Sequence, residues 1–294
     1  MEDIGWIGTG VMGQRMCRHI INADHKVHVY NRTPSKAQGL LEAGATWCES
    51  AAMVAEKSNI VFTIVGYPRD VEEVILGPDG ALEHLSSGSY LVDMTTSTPA
   101  LAEQIYEQAY KKGVHALDAP VSGGDIGADE GTLAIMAGGD NEAFQKIKPF
   151  FNLMGKNVAY MGKAGKGQHT KMSNQILIAS TMISVVESML YAYKTGMDME
   201  EVINVIGKGA ASSWSINNLG LKIADGDYGP GFFIKHFVKD MRIALSEAKR
   251  MDLSLPGLAL AEQFYTSAIA MGYEDLGTQG LYKVFEKMNG MEDK

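Results

Sequence analysis

The stretch Ile4-Gly5-Trp6-Ile7-Gly8-Thr9-Gly10-Val11-Met12-Gly13 decides how the rest of the chain is read. Ile4 to Ile7 reads as a short strand, and Val11 to Ile21 repeats apolar residues with the period of a helix. Between them the glycines fall as G-x-G-x-x-G. In that spacing Gly8 permits a tight turn, Gly10 lets a pyrophosphate approach the backbone, and Gly13 lets the helix pack on the strand. The exposed N–H groups and positive dipole at such a helix start attract phosphate. Gly8, Thr9, Gly10, Val11, Met12 and Gly13 are therefore expected to hold a dinucleotide. A glycine-rich turn with no ligand is the plainer reading of the same residues.

The next strand, Val27 to Tyr30, bears on which dinucleotide. A site for NAD usually places Asp or Glu about 20 residues beyond the glycines, on the ribose hydroxyls. Here the strand runs into Asn31-Arg32-Thr33, without a carboxylate. A 2′-phosphate calls for a guanidinium and a hydroxyl, because the planar fork pairs with its oxygens. Asn31, Arg32 and Thr33 therefore favour NADP, with NAD as second choice. An exposed arginine before Pro34 is the alternative.

Further strand patterns lie at Ile60–Val65, Tyr90–Val92, Val114–Leu117, Leu133–Met136 and Val158–Tyr160, with helical patterns between most of them, as at 99–111 and 140–151. Strands alternating with helices indicate a parallel, doubly wound sheet. Ligands sit outside the carboxyl ends of such strands, which draws attention to the loops around Val65-Gly66, Thr96 and Ser122-Gly123-Gly124. Small residues in succession can expose consecutive N–H groups as a nest for a carboxylate; a plain turn serves equally as a reading of Ser122-Gly123-Gly124.

After residue 160 no strand pattern of any length remains. The run Gly165–Gly196 reads as one long helix, and Met172 to Val186 carries no charge, with apolar residues on every face. Such a helix is normally buried in a larger protein or a bilayer. A membrane span needs about 20 mostly apolar residues, and this run is short and broken by serines, Asn174 and Gln175, so a buried central helix is expected. Lys171, Asn174 and Gln175 share its first face at i, i+3 and i+4. A solubilising first turn is the plain account of these three. Asp198 and Glu201 form a capping-box pair before Val202–Ile206, and 237–251, 257–271 and 281–288 read as amphipathic helices. The expected architecture is α/β: a Rossmann-type doubly wound N-terminal domain (1–162), then a long central helix and an all-α C-terminal domain (163–294).

Bulk properties narrow the function. With 294 residues, 46% apolar content and 21% charge, the chain is an ordinary globular one of about two domains. A net charge of −9 argues against nucleic acid or an anionic membrane surface as partner. Cys17 and Cys48 form no metal spacing, and no histidine pair brackets a glutamate, so no metal is expected. No signal peptide is read ahead of the first strand, and a cytoplasmic location is expected.

GTGVMG near the start, NRT after the second strand, DAPVSGG at Asp118–Gly124 and Lys171 near the start of a long helix occur in a fixed order. The set resembles the β-hydroxyacid dehydrogenase family, which includes 3-hydroxyisobutyrate dehydrogenase and tartronate semialdehyde reductase and is related to 6-phosphogluconate dehydrogenase. The resemblance spans nearly the whole chain. It implies that Gly8–Gly13 with Asn31, Arg32 and Thr33 hold NADP(H), that Val65, Gly66 and Thr96 border the cofactor, and that Lys239 meets it from the C-terminal part. It further implies that Ser122, Gly123 and Gly124 bind a substrate carboxylate and that Lys171 is the catalytic acid/base. A homodimer or homotetramer is expected. Many members carry Asn four residues after the lysine; here Gln175 holds that place and Asn174 precedes it, so either amide is a candidate for the substrate.

The implied chemistry is hydride transfer between a small 3-hydroxy acid and its semialdehyde. A lysine ammonium stabilises the charge that develops on the carbonyl oxygen and donates the proton; the neutral amine removes it in reverse. Burial lowers a lysine pKa, and a substrate carboxylate opposes that shift. A glyoxylate or succinic semialdehyde reductase is the nearest alternative. An imine reductase would replace Lys171 with Asp or Tyr, and a non-catalytic dinucleotide sensor would be expected to lose the lysine or the glycines.

Overall fold

The computed structural model describes residues 2–291; Met1 and residues 292–294, which hold the outer bounds of the two expected domains, lie outside the described residues. The chain divides into two compact units, Met1–Lys171 and Met172–Lys294.

The first unit is built on one sheet of β1 (Asp3–Ile7), β2 (Lys26–Tyr30), β3 (Thr46–Trp47), β4 (Ile60–Thr63), β5 (Tyr90–Asp93), β6 (His115–Asp118), β7 (Val121–Ser122), β8 (Leu133–Gly139) and β9 (Gly155–Gly162). The strand order is β3-β2-β1-β4-β5-β6-β8-β7, with β9 on β8. β1 to β6 pair in parallel. The doubly wound sheet is parallel through β6 and mixed beyond it, where β8 runs antiparallel to both β6 and β7. The connection from β6 to β8 carries the two-residue β7, which pairs with β8 in antiparallel register, and the short helix Gly124–Glu130.

β1 and β4 are apolar along nearly their whole length because helices cover both faces. Trp6 stacks on Phe62 with ring centroids 5.5 Å apart, and Phe151 meets Phe62 edge-on. Helix Val11–Asn22 adds Met16, Cys17 and Ile20 to the same core. Met16 and Ile20 each contribute about 1.5–3 kcal/mol when fully buried, which fastens the helix behind the glycine turn. Cys17 and Cys48 are free and buried, and burial pushes the Cys17 thiol far above its usual range.

The sequence order reverses between β1 and β4, the switch point of a doubly wound sheet. Strand Ile60–Val65 proves shorter than its apolar run. Ile64 N–H still pairs with the Ile7 carbonyl, but Val65 N–H leaves the ladder for Thr95 Oγ1. The two-residue β3 and β7 were too short to carry a period in the sequence.

The second unit is helical: Met199–Ile206, a π-helical turn Ser215–Gly220 running into Leu221–Ala224, Ile234–Arg250, Pro256–Ala270 and Leu281–Met288. Asp198 caps the first by accepting from Glu201 N–H at 3.1 Å. The helix Lys166–Lys194, 29 residues long, begins in the first unit and supplies Met182, Val186 and Met189 to the core of the second. By length and composition it is the one helix among the described residues that could cross a membrane. Its expected burial on all faces is not found: Leu177 and Tyr191 are each 70% exposed. Hydroxyls on that side bond back along the helix, Thr181 to the Leu177 carbonyl at 2.8 Å and Ser184 to Ser180 at 3.3 Å. An uncharged run therefore tolerates water on one face without a charge to announce it.

Candidate active site

The carboxyl ends of β1, β2, β4, β5 and β6 lie along one edge of the sheet, because these strands are parallel and in register. Most of the expected site residues of the first unit follow those ends. Gly8 takes φ of +99° and donates its N–H to the Tyr30 carbonyl at 2.9 Å. A side chain on Gly13 would strike the Gly8 carbonyl, whereas one on Gly10 would meet nothing within 4 Å. The following helix starts without a side-chain cap and without an acidic residue in its first turn. Its N–H groups thus face an open approach with the positive end of the dipole behind them, which suits a pyrophosphate.

Asn31 ties this turn to the next loop. Its Oδ1 accepts from Thr9 N–H and its Nδ2 donates to the Thr33 carbonyl, both at 2.9 Å. Arg32 is 77% exposed at the side chain and reaches Asp70 at 3.3 Å. Asp70 also accepts from Tyr67 N–H at 3.0 Å, closing the start of helix Pro68–Leu76. So a carboxylate does stand beside Arg32, brought from another loop; the run Tyr67-Pro68-Arg69-Asp70, with its acid at the third helical position, was the signal that could have located it.

Two buried residues outside the expected set organise the rest. Gln168 bridges the loop after β5, accepting from Ser97 N–H at 3.0 Å and donating to the Thr95 carbonyl at 2.8 Å, so that it straddles Thr96. Asp118, at the end of β6, accepts from Gly165 N–H and Gln168 N–H, each at 2.8 Å. Burial pushes its carboxyl up to about 7, against the pull of these backbone donors. Ser122 ends β7, and Gly123 and Gly124 carry φ of +134° and +64°, opening the helix Gly124–Glu130. Only glycine adopts that succession readily. Lys171 lies on the second turn of the long helix and is 6% exposed.

In the second unit the structure joins Asn174, Gln175 and Lys239 through Asp240. Gln175 Nε2 donates to Asp240 at 2.7 Å, Asn174 Nδ2 donates to Gln175 Oε1 at 2.7 Å, and Lys239 Nζ lies 3.0 Å from Asp240. Asp240 and Gln175 are both 1% exposed. A carboxylate only accepts, so it fixes which way the Gln175 amide turns, and Gln175 in turn fixes Asn174. Asp240 was legible only as the neighbour of Lys239. Phe232 packs edge-on against Phe237 at 5.8 Å, and Trp214 is 54% exposed. Among the described residues no group of three metal-binding side chains gathers.

The fold and the glycine turn define a dinucleotide-binding oxidoreductase. Residues 3–162 match the profile of the NAD binding domain of 6-phosphogluconate dehydrogenase, and residues 165–285 that of the NAD-binding region of NADP-dependent 3-hydroxyisobutyrate dehydrogenase. A probable mitochondrial 3-hydroxyisobutyrate dehydrogenase-like protein of Arabidopsis thaliana is 53% identical over 98% of this chain and 86% of its own length. The 2-hydroxy-3-oxopropionate reductase of Escherichia coli is 38% identical over 97% of each chain. The solved structure of Psf3 in complex with NADP+ and 2-OPP superposes with a TM-score of 0.90, at 26% identity, over 96% of this chain and 99% of its own. The chain belongs to the β-hydroxyacid dehydrogenase family and is an NAD(P)-binding oxidoreductase.

Proposed function

We propose that the chain interconverts a small 3-hydroxy acid and its semialdehyde with NADP(H), using Lys171 as general acid/base. The observation that carries this reading is Lys171 itself, buried on a helix whose first turn is anchored to the ends of β5 and β6. When bound, the nicotinamide supplies or accepts the hydride at the carbonyl carbon. Gly8, Thr9, Gly10, Val11, Met12 and Gly13 hold the pyrophosphate, Asn31 orders that turn, and Arg32 with Thr33 receives the 2′-phosphate. Val65, Gly66, Thr96 and Lys239 border the rest of the cofactor.

Ser122, Gly123 and Gly124 receive the substrate carboxylate through successive N–H groups and a hydroxyl. The Lys171 ammonium donates its proton as negative charge grows on the carbonyl oxygen, and the neutral amine takes it back in oxidation. Of the two amides, Asn174 is the one assigned to the substrate. Gln175 is buried and engaged at both ends, by Asp240 and by Asn174. The substrates assigned are 3-hydroxyisobutyrate or 2-hydroxy-3-oxopropionate in type, with glyoxylate or succinic semialdehyde as the second reading; the names of the relatives support the first. Residues 1–162 form the dinucleotide domain and 163–294 the helical substrate and dimerisation domain of a cytoplasmic homodimer or homotetramer.

The test is a panel of small semialdehydes and 3-hydroxy acids, each run with NADPH/NADP+ and NADH/NAD+. Turnover confined to carboxylate-bearing substrates and faster with the phosphorylated cofactor is the expected result. A panel in which no hydroxy acid or semialdehyde turns over removes the reading.

A further inference from the structure

We infer that Gln168 is a positioning residue that locks the Thr96 loop and the Lys171 helix to one another. The inference rests on the roles proposed above for Lys171 and Thr96. Gln168 is fully buried, and its amide makes one bond on each side of Thr96, accepting from Ser97 N–H and donating to the Thr95 carbonyl. Both peptide groups that could swing Thr96 are thereby held by one side chain. Thr95 is tied in turn: its Oγ1 accepts from Val65 N–H at 3.0 Å, and its N–H donates to Asp93 at 3.1 Å. Asp93 also accepts from the Thr63 hydroxyl at 2.7 Å. One connected chain thus runs from the ends of β4 and β5 to Gln168.

On its backbone side, Gln168 N–H donates to Asp118 at the end of β6, as does Gly165 N–H. The approach is so close that a side chain on Gly167 would strike the carbonyls of Met136 and Asp118. The first helical turn is therefore seated on β6 and β8 while the Gln168 side chain grips the loop after β5. Lys171 follows three residues later, on the same face of the helix. A shift of that turn moves the proton donor relative to Thr96, and misplacement by about 1 Å can cost about 10²-fold in rate. The position requires one donor and one acceptor on a neutral group, which an amide supplies and a carboxylate does not.

Gln168→Met removes both contacts and keeps the stem; Gln168→Glu keeps the acceptor and donates to the Thr95 carbonyl only while its carboxyl is protonated. Asp118 on β6 and Asp93 at the end of β5 lie on the sheet side of the introduced group, with His169 and Lys171 on its own helix; full burial of the position favours the neutral carboxyl as the pH falls. Single-turnover hydride transfer from NADPH to 2-hydroxy-3-oxopropionate is measured for both variants and for Lys171→Met, across pH and beside NADPH binding. Gln168→Met is expected to slow hydride transfer by about 10²-fold with NADPH affinity within threefold of wild type, a threshold well below that loss. Gln168→Glu is expected to recover toward the wild-type rate as the pH falls. A fast Gln168→Met beside a slow Lys171→Met overturns the inference and leaves the functional reading standing. A fast Lys171→Met overturns both. Should Gln168→Met not fold, a Gln168→Glu rate that follows the wild-type pH profile throughout overturns the inference on its own.

Discussion

Arg32 pairs with Asp70 at 3.3 Å, although 38 residues separate them in the chain. The sequence offers no acid directly after β2, yet the fold delivers one from the start of helix Pro68–Leu76. Asp70 is buried and also held by Tyr67 N–H, so it is a fixed partner for Arg32. The guanidinium stays 77% exposed beside it.

Replacing Arg32 with Asp is expected to weaken NADPH by about 1.5–3 kcal/mol, the scale of a hydrogen bond to a charged group, and NADH far less. Titration of both cofactors by fluorescence checks it. Equal losses would mean that Arg32 does not read the 2′-phosphate.

Gln175 donates into a carboxylate that is 1% exposed, so its replacement by Leu leaves Asp240 without that donor. The expected cost is about 1–3 kcal/mol of stability, seen as a lower urea midpoint at an unchanged slope. An unaltered midpoint would contradict the buried bond.

Burial holds the Asp118 carboxyl up at about 7 in the folded chain, against an ordinary value of 3.8. Between those pH values the folded state binds the extra proton, so stability falls as pH rises through that window and levels off above it. Asp118→Asn lacks this titration. The stability of the wild type relative to the variant should therefore decline from pH 4 toward 7, measured by denaturation at a series of pH values. A constant difference would place the carboxyl outside that range.

The carboxylate role proposed for the Ser122-Gly123-Gly124 turn makes substrate charge a requirement. An aldehyde acid such as succinic semialdehyde should be reduced with a far higher kcat/KM than the matching neutral aldehyde. Comparable values would reduce the turn to a structural element.

Much of this was readable from residue spacing, and the exceptions have physical causes. Gly8 and Gly13 announced their turn because each answers a local steric demand, while Gly10 leaves open space between them. The place of Lys171 near the start of a long helix was legible from that helix's own pattern. The partners of Asp70, Asp118, Gln168 and Asp240 were not, because a hydrogen bond across 38 to 73 residues leaves no local period. The antiparallel β8 escaped because apolar patterning marks a strand and not its direction. The exposed face of helix Lys166–Lys194 was misread as buried because its hydroxyls satisfy themselves along the helix.

Lys171→Met gives the most direct test of the central claim. Met keeps the aliphatic stem of a side chain that is 6% exposed, so the fold should survive. NADPH binding should change little, since the ammonium is assigned to the substrate oxygen. The loss should fall on kcat, because that contact strengthens as charge develops. The measurement is kcat on 2-hydroxy-3-oxopropionate beside the NADPH dissociation constant. The account predicts a fall in kcat of about 10²–10⁴-fold or more with cofactor affinity intact. A variant that binds NADPH normally and keeps more than about a tenth of wild-type kcat, well outside that range, would show that Lys171 is not the acid.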